Sequence, residues 1–374
     1  MRNKLPKYIY QHKQWPDIQW DAKVISALLA SVRFKQGRLI GQMENLGFQL
    51  QKEATLMAMT EEVIKSSEIE GEILDFAQVR SSIARRMGID VAGIVPSDRQ
   101  VDGVVEMMID ATQNFKQALT DERLFGWHAL LFPTGRSGTR KIMVGHWRSN
   151  AKEDPMQVIS GPIGRERVHY QAPDSVYIPS EINAFISWFN EELKLDALLK
   201  AAIAHLWFVT IHPFEDGNGR IARTIADMQL TRSDQSPYRF YSMSAQIRFE
   251  RNAYYEILEE TQKGEMDITN WVMWFLSCLD RALDSSRGLL DKVLAKAKFW
   301  ERFKLVLMNE RQSQMINMML DGFEGKLTTT KWAKITKTSA DTALRDIQDL
   351  INKNVLVKVG DSKKGASYEI RLGE

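Results

Sequence analysis

Residues 212–223 read His-Pro-Phe-Glu-Asp-Gly-Asn-Gly-Arg-Ile-Ala-Arg, which sets a base, a carboxylate, two glycines, an asparagine and two arginines side by side. His212 precedes Pro213, a position biased away from helical backbone angles, so the apolar helix before it is expected to end near Thr210 and the histidine to sit on a loop. Gly217, Asn218 and Gly219 then permit backbone conformations that other residues resist. A helical pattern resumes over Arg220–Leu230, and the first amides of such a helix have no intrahelical partners. Unpaired amides and the positive end of a helix dipole suit an anion. Arg220 and Arg223 add charge, and Asp216 can hold a magnesium ion that bridges phosphates. A polyphosphate with its metal is the ligand this chemistry suits. His205 and His212 lie seven apart with Asp216 beyond, but without the His-x-x-x-His spacing, a cysteine or a third histidine a zinc site is not expected.

The same string resembles the signature of the Fic family, His-x-Phe-x-Asp/Glu-Gly-Asn-Gly/Lys-Arg, and the match extends to Arg223. The resemblance implies a protein adenylyltransferase, which moves the AMP of ATP onto a protein hydroxyl and releases pyrophosphate. It implies His212 as the general base, a role that suits imidazole. Phe214 becomes a core anchor and Asp216 the magnesium ligand. The amides of Gly217 to Gly219 and the Asn218 side chain take the alpha and beta phosphates, and Arg220 and Arg223 the outer ones. Gly219, where other members carry Lys, favours AMP transfer over kinase-like chemistry.

Far upstream, Ser66, Glu70 and Gly71 fit the family's inhibitory pattern Ser/Thr-x-x-x-Glu-Gly/Asn. The resemblance implies that Glu70 pairs with Arg223 and withholds it from the gamma phosphate, as in the class whose inhibitory helix is N-terminal. Gly145–Arg148, Met156–Gly161 and Arg167–Tyr170 read as short strands around the Gly-Pro-Ile-Gly turn. In the family such a hairpin, here Val158, Ile159, Ser160 and Gly161, is a flap that aligns the target protein by strand addition. Tyr254, Tyr255 and Gln262 match the stretch near adenine, whereas Trp271, an aromatic at helical spacing, reads as core. His128 and His169 read as core or surface residues.

These residues need a helical frame. Apolar residues at three and four spacing predict helices over Ala22–Leu46, Gln51–Ile69, Asp121–Leu131, Pro179–Leu193, Asp196–Val209, Arg251–Lys263 and Thr269–Ala282. The expected fold is mainly α: an N-terminal helical domain over 1–95, a Fic helical core with a small β-hairpin flap over 96–284, and a winged helix-turn-helix over 285–374. Gly88, Gly93 and Pro96 mark a loop between the first two. In the last, Thr328–Ile335 and Ala340–Lys353 read as helices and Val355–Ile370 as a two-stranded wing with its tip at Gly360–Gly365, where Lys363 and Lys364 lie. From 325 to 374 there are ten Lys or Arg and six Asp or Glu, so this end can meet DNA or a protein partner.

The 374 residues carry a net charge of +2, too near balance for wholesale nucleic-acid binding. Cys278 stands alone, so no intrachain disulfide is possible, and no apolar leader or membrane-length run occurs; a cytoplasmic protein is expected. ATP, Mg2+, a target protein and a homodimer partner are the implied associates. Two other functions fit the same residues: a hydrolase that removes AMP, with Glu70 orienting water, and a DNA-binding regulator whose core senses nucleotide.

Overall fold

The computed structural model describes residues 7–89, 93–151, 153–162, 164–192, 194–321, 323, 325–359 and 366–371. Four helices form the front of the chain: α1 (Ala22–Glu44), α2 (Phe48–Ile69), α3 (Phe76–Met87) and α4 (Arg99–Gln113). Side-chain caps fix three of their starts. Asp21 accepts from the amides of Lys23 and Val24, Asp75 from Gln78 and Asp98 from Val101, each satisfying an amide that the helix itself leaves open.

A second group of helices follows, with α5 (Asp121–Leu131), α6 (Ile178–Asn190), α7 (Ala197–Ile211), α8 (Asn218–Asp234), α9 (Met243–Phe249), α10 (Arg251–Gln262) and α11 (Thr269–Arg302). Fourteen of the fifteen residues of α7 are buried, so this helix runs through the middle of the core, apolar on every side. α8 returns against it, and α4, α6 and α11 pack around the pair. Two short antiparallel pairs lie on this frame, β1 (Arg136–Ser137) with β2 (Arg140–Lys141), and β3 (Gln157–Ser160) with β4 (Arg167–Gln171). The second pair is the expected flap, bulged between Val158 and Ile159. Gly145–Arg148, expected as a strand, is not one. Gly145 takes a left-handed φ of 70°, which breaks an extended run, and Trp147 packs on Phe214.

One apolar cluster runs from Ile9 to Val293, so the front helices and the second group share a core. A second, from Phe299 to Tyr368, belongs to the C-terminal unit. That unit comprises α12 (Glu310–Leu320), α13 (Thr329–Thr336), α14 (Ala340–Asn352) and the antiparallel pair β5 (Leu356–Val359) and β6 (Ser367–Ile370). Gly360–Gly365, the expected wing tip with Lys363 and Lys364, lies outside the described residues. The expected boundary at 284–285 falls inside α11, which continues to Arg302 because no proline interrupts it and its apolar stripe passes from the first core to the second. Where the cores meet, Lys296 bridges Glu53 of α2 at 2.5 Å and Asp321 at 2.7 Å, and Arg80 of α3 reaches the same carboxylates at 3.7 and 3.3 Å. No helix among the described residues is long and apolar enough to cross a membrane.

Candidate active site

α7 ends where the sequence predicted. His212 adopts a left-handed φ of 52° and still donates its amide to the Phe208 carbonyl at 3.0 Å, and Pro213 prevents a further turn. The His212 Nδ1 lies 3.2 Å from the Val209 carbonyl, which can only accept, so the proton sits on Nδ1 and the lone pair of Nε2 is free. Burial pulls the imidazole down to about 4, which keeps it neutral. A neutral imidazole with a free Nε2 is a base ready to take a proton.

The loop from His212 to Gly217 is held from beneath. Phe214 is fully buried and stacks on His128 with ring centroids 4.1 Å apart. His128 in turn accepts the Gly145 amide on Nδ1 and donates from Nε2 to the Asp216 carbonyl at 3.2 Å. The Asn218 side chain donates to the Phe214 carbonyl at 2.8 Å and accepts its amide at 2.9 Å. That side chain, expected at the phosphates, folds the loop through its oxygen and one of its two N–H groups. Gly217, at φ 80°, must lack a side chain, because a Cβ would meet the Phe132 ring at 2.9 Å.

Arg148 completes the support, in a role that no motif of the sequence marks. It is buried and donates from Nε to the His212 carbonyl at 2.7 Å, from Nη2 to Pro173 at 2.6 Å and from Nη1 to Asn150 at 2.5 Å. Its own amide donates to Pro213 at 2.9 Å. Burial pushes this guanidinium down to about 10.

The two arginines of the signature face two carboxylates from the end of α2. Glu70 Oε1 lies 2.8 Å from Arg223 Nη2, while Ser66 accepts from Arg223 through its hydroxyl and its carbonyl, both at 3.0 Å. Burial opposes the charge on Arg223, but Glu70 and the nearby phenols more than compensate and raise its pKa. The Glu70 carboxylate also lies over Gly219, so close that a Cβ there would come within 2.3 Å of Oε1. It thus occupies the approach to the amino end of α8. Gly71 follows at φ 84°, turning the chain away. Glu72, which the sequence reading passed over, reaches Arg220 Nη1 at 2.5 Å. The turn at Gly71 brings the carboxylates that flank it to the two arginines.

Arg223 Nη1 and Arg220 Nε are buried and lack partners among the described residues. Unpaired buried donors at a helix start are what an anion would satisfy. Asp216 accepts from the Gly217 amide at 2.5 Å and from the Ser137 hydroxyl. Among the described residues no group of three or more His, Cys, Asp or Glu could hold a metal by itself. A lone carboxylate fits magnesium only in company with phosphate oxygens and water.

A cavity of about 540 Å³ joins these parts. Glu70, His212 and Gly219 line one side and the flap residues Val158, Ile159 and Ser160 another. Tyr254, Tyr255 and Gln262 of α10 form the floor. Tyr254 is buried and its hydroxyl lies 2.9 Å from His205 Nε2; burial takes His205 down to about 3 and raises the phenol. Gln262 reaches Val209 and Thr210 at 3.4 Å. Asp216, Gly217, Asn218, Arg220 and Arg223 lie behind this lining, and Gly161 sits at the flap turn beyond it. Trp271 is core, donating to the Ala202 carbonyl at 2.8 Å. His169, read as core or surface, instead lines the cavity together with Glu259.

Comparison with known proteins places the signature loop within a matched segment. Residues 118–230, which contain the whole signature loop, match the Fic/DOC family. Residues 8–89 match a domain described as a domain of unknown function, DUF4172. A protein adenylyltransferase Fic from Aedes aegypti is 27% identical over 239 residues, 62% of this chain and 42% of that protein. Another of that name from Nematostella vectensis is 26% identical over 247 residues, 63% of this chain and 50% of its own length. The chain thus spans about two-fifths to half of these curated relatives. Among solved structures, a Fic family protein from Desulfovibrio desulfuricans G20 shares the fold at a TM-score of 0.51 and 19% identity, over 94% of this chain and 96% of that one. A Fic domain containing signaling protein from Bacteroides thetaiotaomicron gives a TM-score of 0.51 at 20% identity, over 70% and 97%. The signature loop and the matched segment converge: residues 118–230 are similar to the Fic/DOC family, and the fold around them is shared with solved Fic structures.

Proposed function

We propose that the chain is a protein adenylyltransferase that moves AMP from ATP to a side-chain hydroxyl and is held back by its own α2 segment. The observation that carries this reading is the Glu70 carboxylate against Arg223 and Gly219, at the amino end of α8 and on the same cavity as the free Nε2 of His212. His212 takes the proton of the attacking hydroxyl, the oxygen bonds to the alpha phosphorus, and pyrophosphate leaves. The first amides of α8 with Arg220 and Arg223 hold the phosphates, once Glu70 and Glu72 have given way. Asp216 is the residue that would hold magnesium, whose chemistry is to offset charge on the phosphates. Exposed Val158 and Ile159 on the flap support a target segment laid alongside as an added strand. The C-terminal order of helices followed by an antiparallel pair supports a winged helix as a docking unit for DNA or protein.

Intact mass after incubation with magnesium and ATP tests the reaction. A candidate target incubated with the Glu70→Gly protein should gain an adduct of one AMP, and with the Glu70→Gly, His212→Ala protein it should not. A general base is worth about 10²- to 10⁴-fold, so a loss below tenfold would point to another base. Release of AMP from a modified protein, with no adduct formed from ATP, would favour the hydrolase.

A further inference from the structure

Three side chains on the flap side of the cavity form a hydrogen-bonded series that the proposed reaction does not use. Glu259 Oε2 lies 2.5 Å from His169 Nδ1, and His169 Nε2 lies 2.5 Å from Ser160 Oγ. The proton positions follow from the partners. Glu259 also meets Arg167 at 2.9 Å and Lys263 at 2.6 Å; desolvation opposes its charge, but the bonds from His169, Lys263 and Arg167 prevail and hold it down to about 2. A carboxylate can only accept, so Nδ1 carries the imidazole proton. In the neutral imidazole Nε2 then accepts, and the Ser160 hydroxyl donates to it. A hydroxyl aimed at a base, with that base oriented by a carboxylate, is the arrangement that makes a serine nucleophilic. Glu259 and His169 come from α10 and β4, and Ser160 ends β3, so the series also ties the flap to the helix that floors the cavity.

We propose that Ser160 is an internal acceptor of AMP, activated by His169 and Glu259, so that the chain adenylylates its own flap. This rests on the adenylyltransferase reading, because the electrophile is the alpha phosphate of ATP in the cavity that Ser160 lines with His212 and Gly219. The Ser160 Oγ forms a bond to the alpha phosphorus and its proton passes to His169 Nε2. The bond from that phosphorus to the oxygen bridging to the beta phosphate breaks, and pyrophosphate departs with the electron pair. The product is a phosphodiester linking Ser160 to adenosine, and His169 returns its proton to water. An AMP on the flap then stands beside the edge along which an external segment would be laid, so the modified chain loses activity toward other proteins.

Two measurements on the full chain test this. In the first, the Glu70→Gly protein is incubated with magnesium and ATP and digested with trypsin. Ser160 is the only hydroxyl residue in peptide 153–165, so an AMP mass on that peptide locates the adduct. In the second, Ser160 is challenged with a fluorophosphonate probe, which reports an activated serine without ATP. The expected results are AMP on peptide 153–165, its absence in Glu70→Gly, Ser160→Ala, and probe labelling that falls at least tenfold in His169→Gln. Glutamine can still bond Glu259 but cannot take a proton, so a merely structural tie would survive that change. AMP found only on other peptides, or a Ser160 inert to the probe, overturns the acceptor role and leaves AMP transfer standing. No AMP on any peptide, with Ser160 still reactive to the probe, overturns the transfer reading and the acceptor role with it.

Discussion

Arg223 has three of its bonds answered by Ser66 and Glu70, yet its Nη1, beside Gly219, is buried without a partner among the described residues. The clamp therefore occupies the arginine without satisfying it, and a phosphate that displaced Glu70 could gain the unmet bond. Glu70→Gly should raise AMP incorporation at least tenfold, and the gain should vanish in Glu70→Gly, Arg223→Ala. Equal rates in the parent and the single variant would sink the inhibitory role. Glu72→Gln in the Glu70→Gly background should raise incorporation further, since it releases Arg220; an unchanged rate would make that ion pair a bystander. His212 gives a pH prediction. Its imidazole titrates near 4 in the fold against a usual 6.5, so it remains neutral far into the acid range. The acid limb of kcat/KM in Glu70→Gly should lie well below 6.5, and a limb at 6.5 or above would contradict the burial. The same shift acts on stability. Between about 6.5 and 4 the unfolded chain binds the proton and the folded one does not, so this group destabilises the fold as pH falls through that window.

At the scale of elements, the signature loop was legible because its residues are consecutive. His212 had to leave α7 at Pro213, and the glycines had to open α8. Glu70 was legible through its own short pattern at the end of α2. What stayed hidden was assembled by packing across long sequence separations. Arg148 lies 64 residues before His212, Glu72 lies 148 before Arg220, and Glu259 lies 90 after His169. A lone Arg, Glu or His carries no periodic signal to mark it. The loop-pinning bonds of the Asn218 side chain were hidden for a different reason: an amide that faces a phosphate and one that pins a loop look alike in sequence. Arg148 can be tested against that background. Arg148→Lys loses the fork that reaches His212, Pro173 and Asn150 together, so the base should shift while the phosphate cradle on α8 persists. We expect kcat in Glu70→Gly to fall about 10- to 100-fold with little change in the KM for ATP, because small displacements of a reacting group carry costs of that order. A rise in KM alone would show that the arginine serves nucleotide binding instead.

Over the whole molecule, α2 touches both ends of the chain's business. Its last turn holds Arg223, and Glu53 near its start enters the buried cluster with Arg80, Lys296 and Asp321 where the two cores meet. Removing one member of such a cluster leaves charge buried without its partner, at a cost of about 3–5 kcal/mol. Lys296→Ala should therefore lower the thermal midpoint, and should raise AMP incorporation if loosening α2 loosens Glu70. A destabilised protein with parental incorporation would show that the two ends of α2 act independently.

That four-residue cluster makes the C-terminal unit a second handle on the same helix. If a partner bound to α12–α14 shifts Asp321, it changes the free energy with which α2 holds Glu70 in place, and so the affinity for ATP. Thermodynamic linkage then runs both ways: ATP that displaces Glu70 must change the affinity of the C-terminal unit for that partner by the same factor. The nucleotide state of the cell would be written, through one helix, into what the far end of the molecule holds.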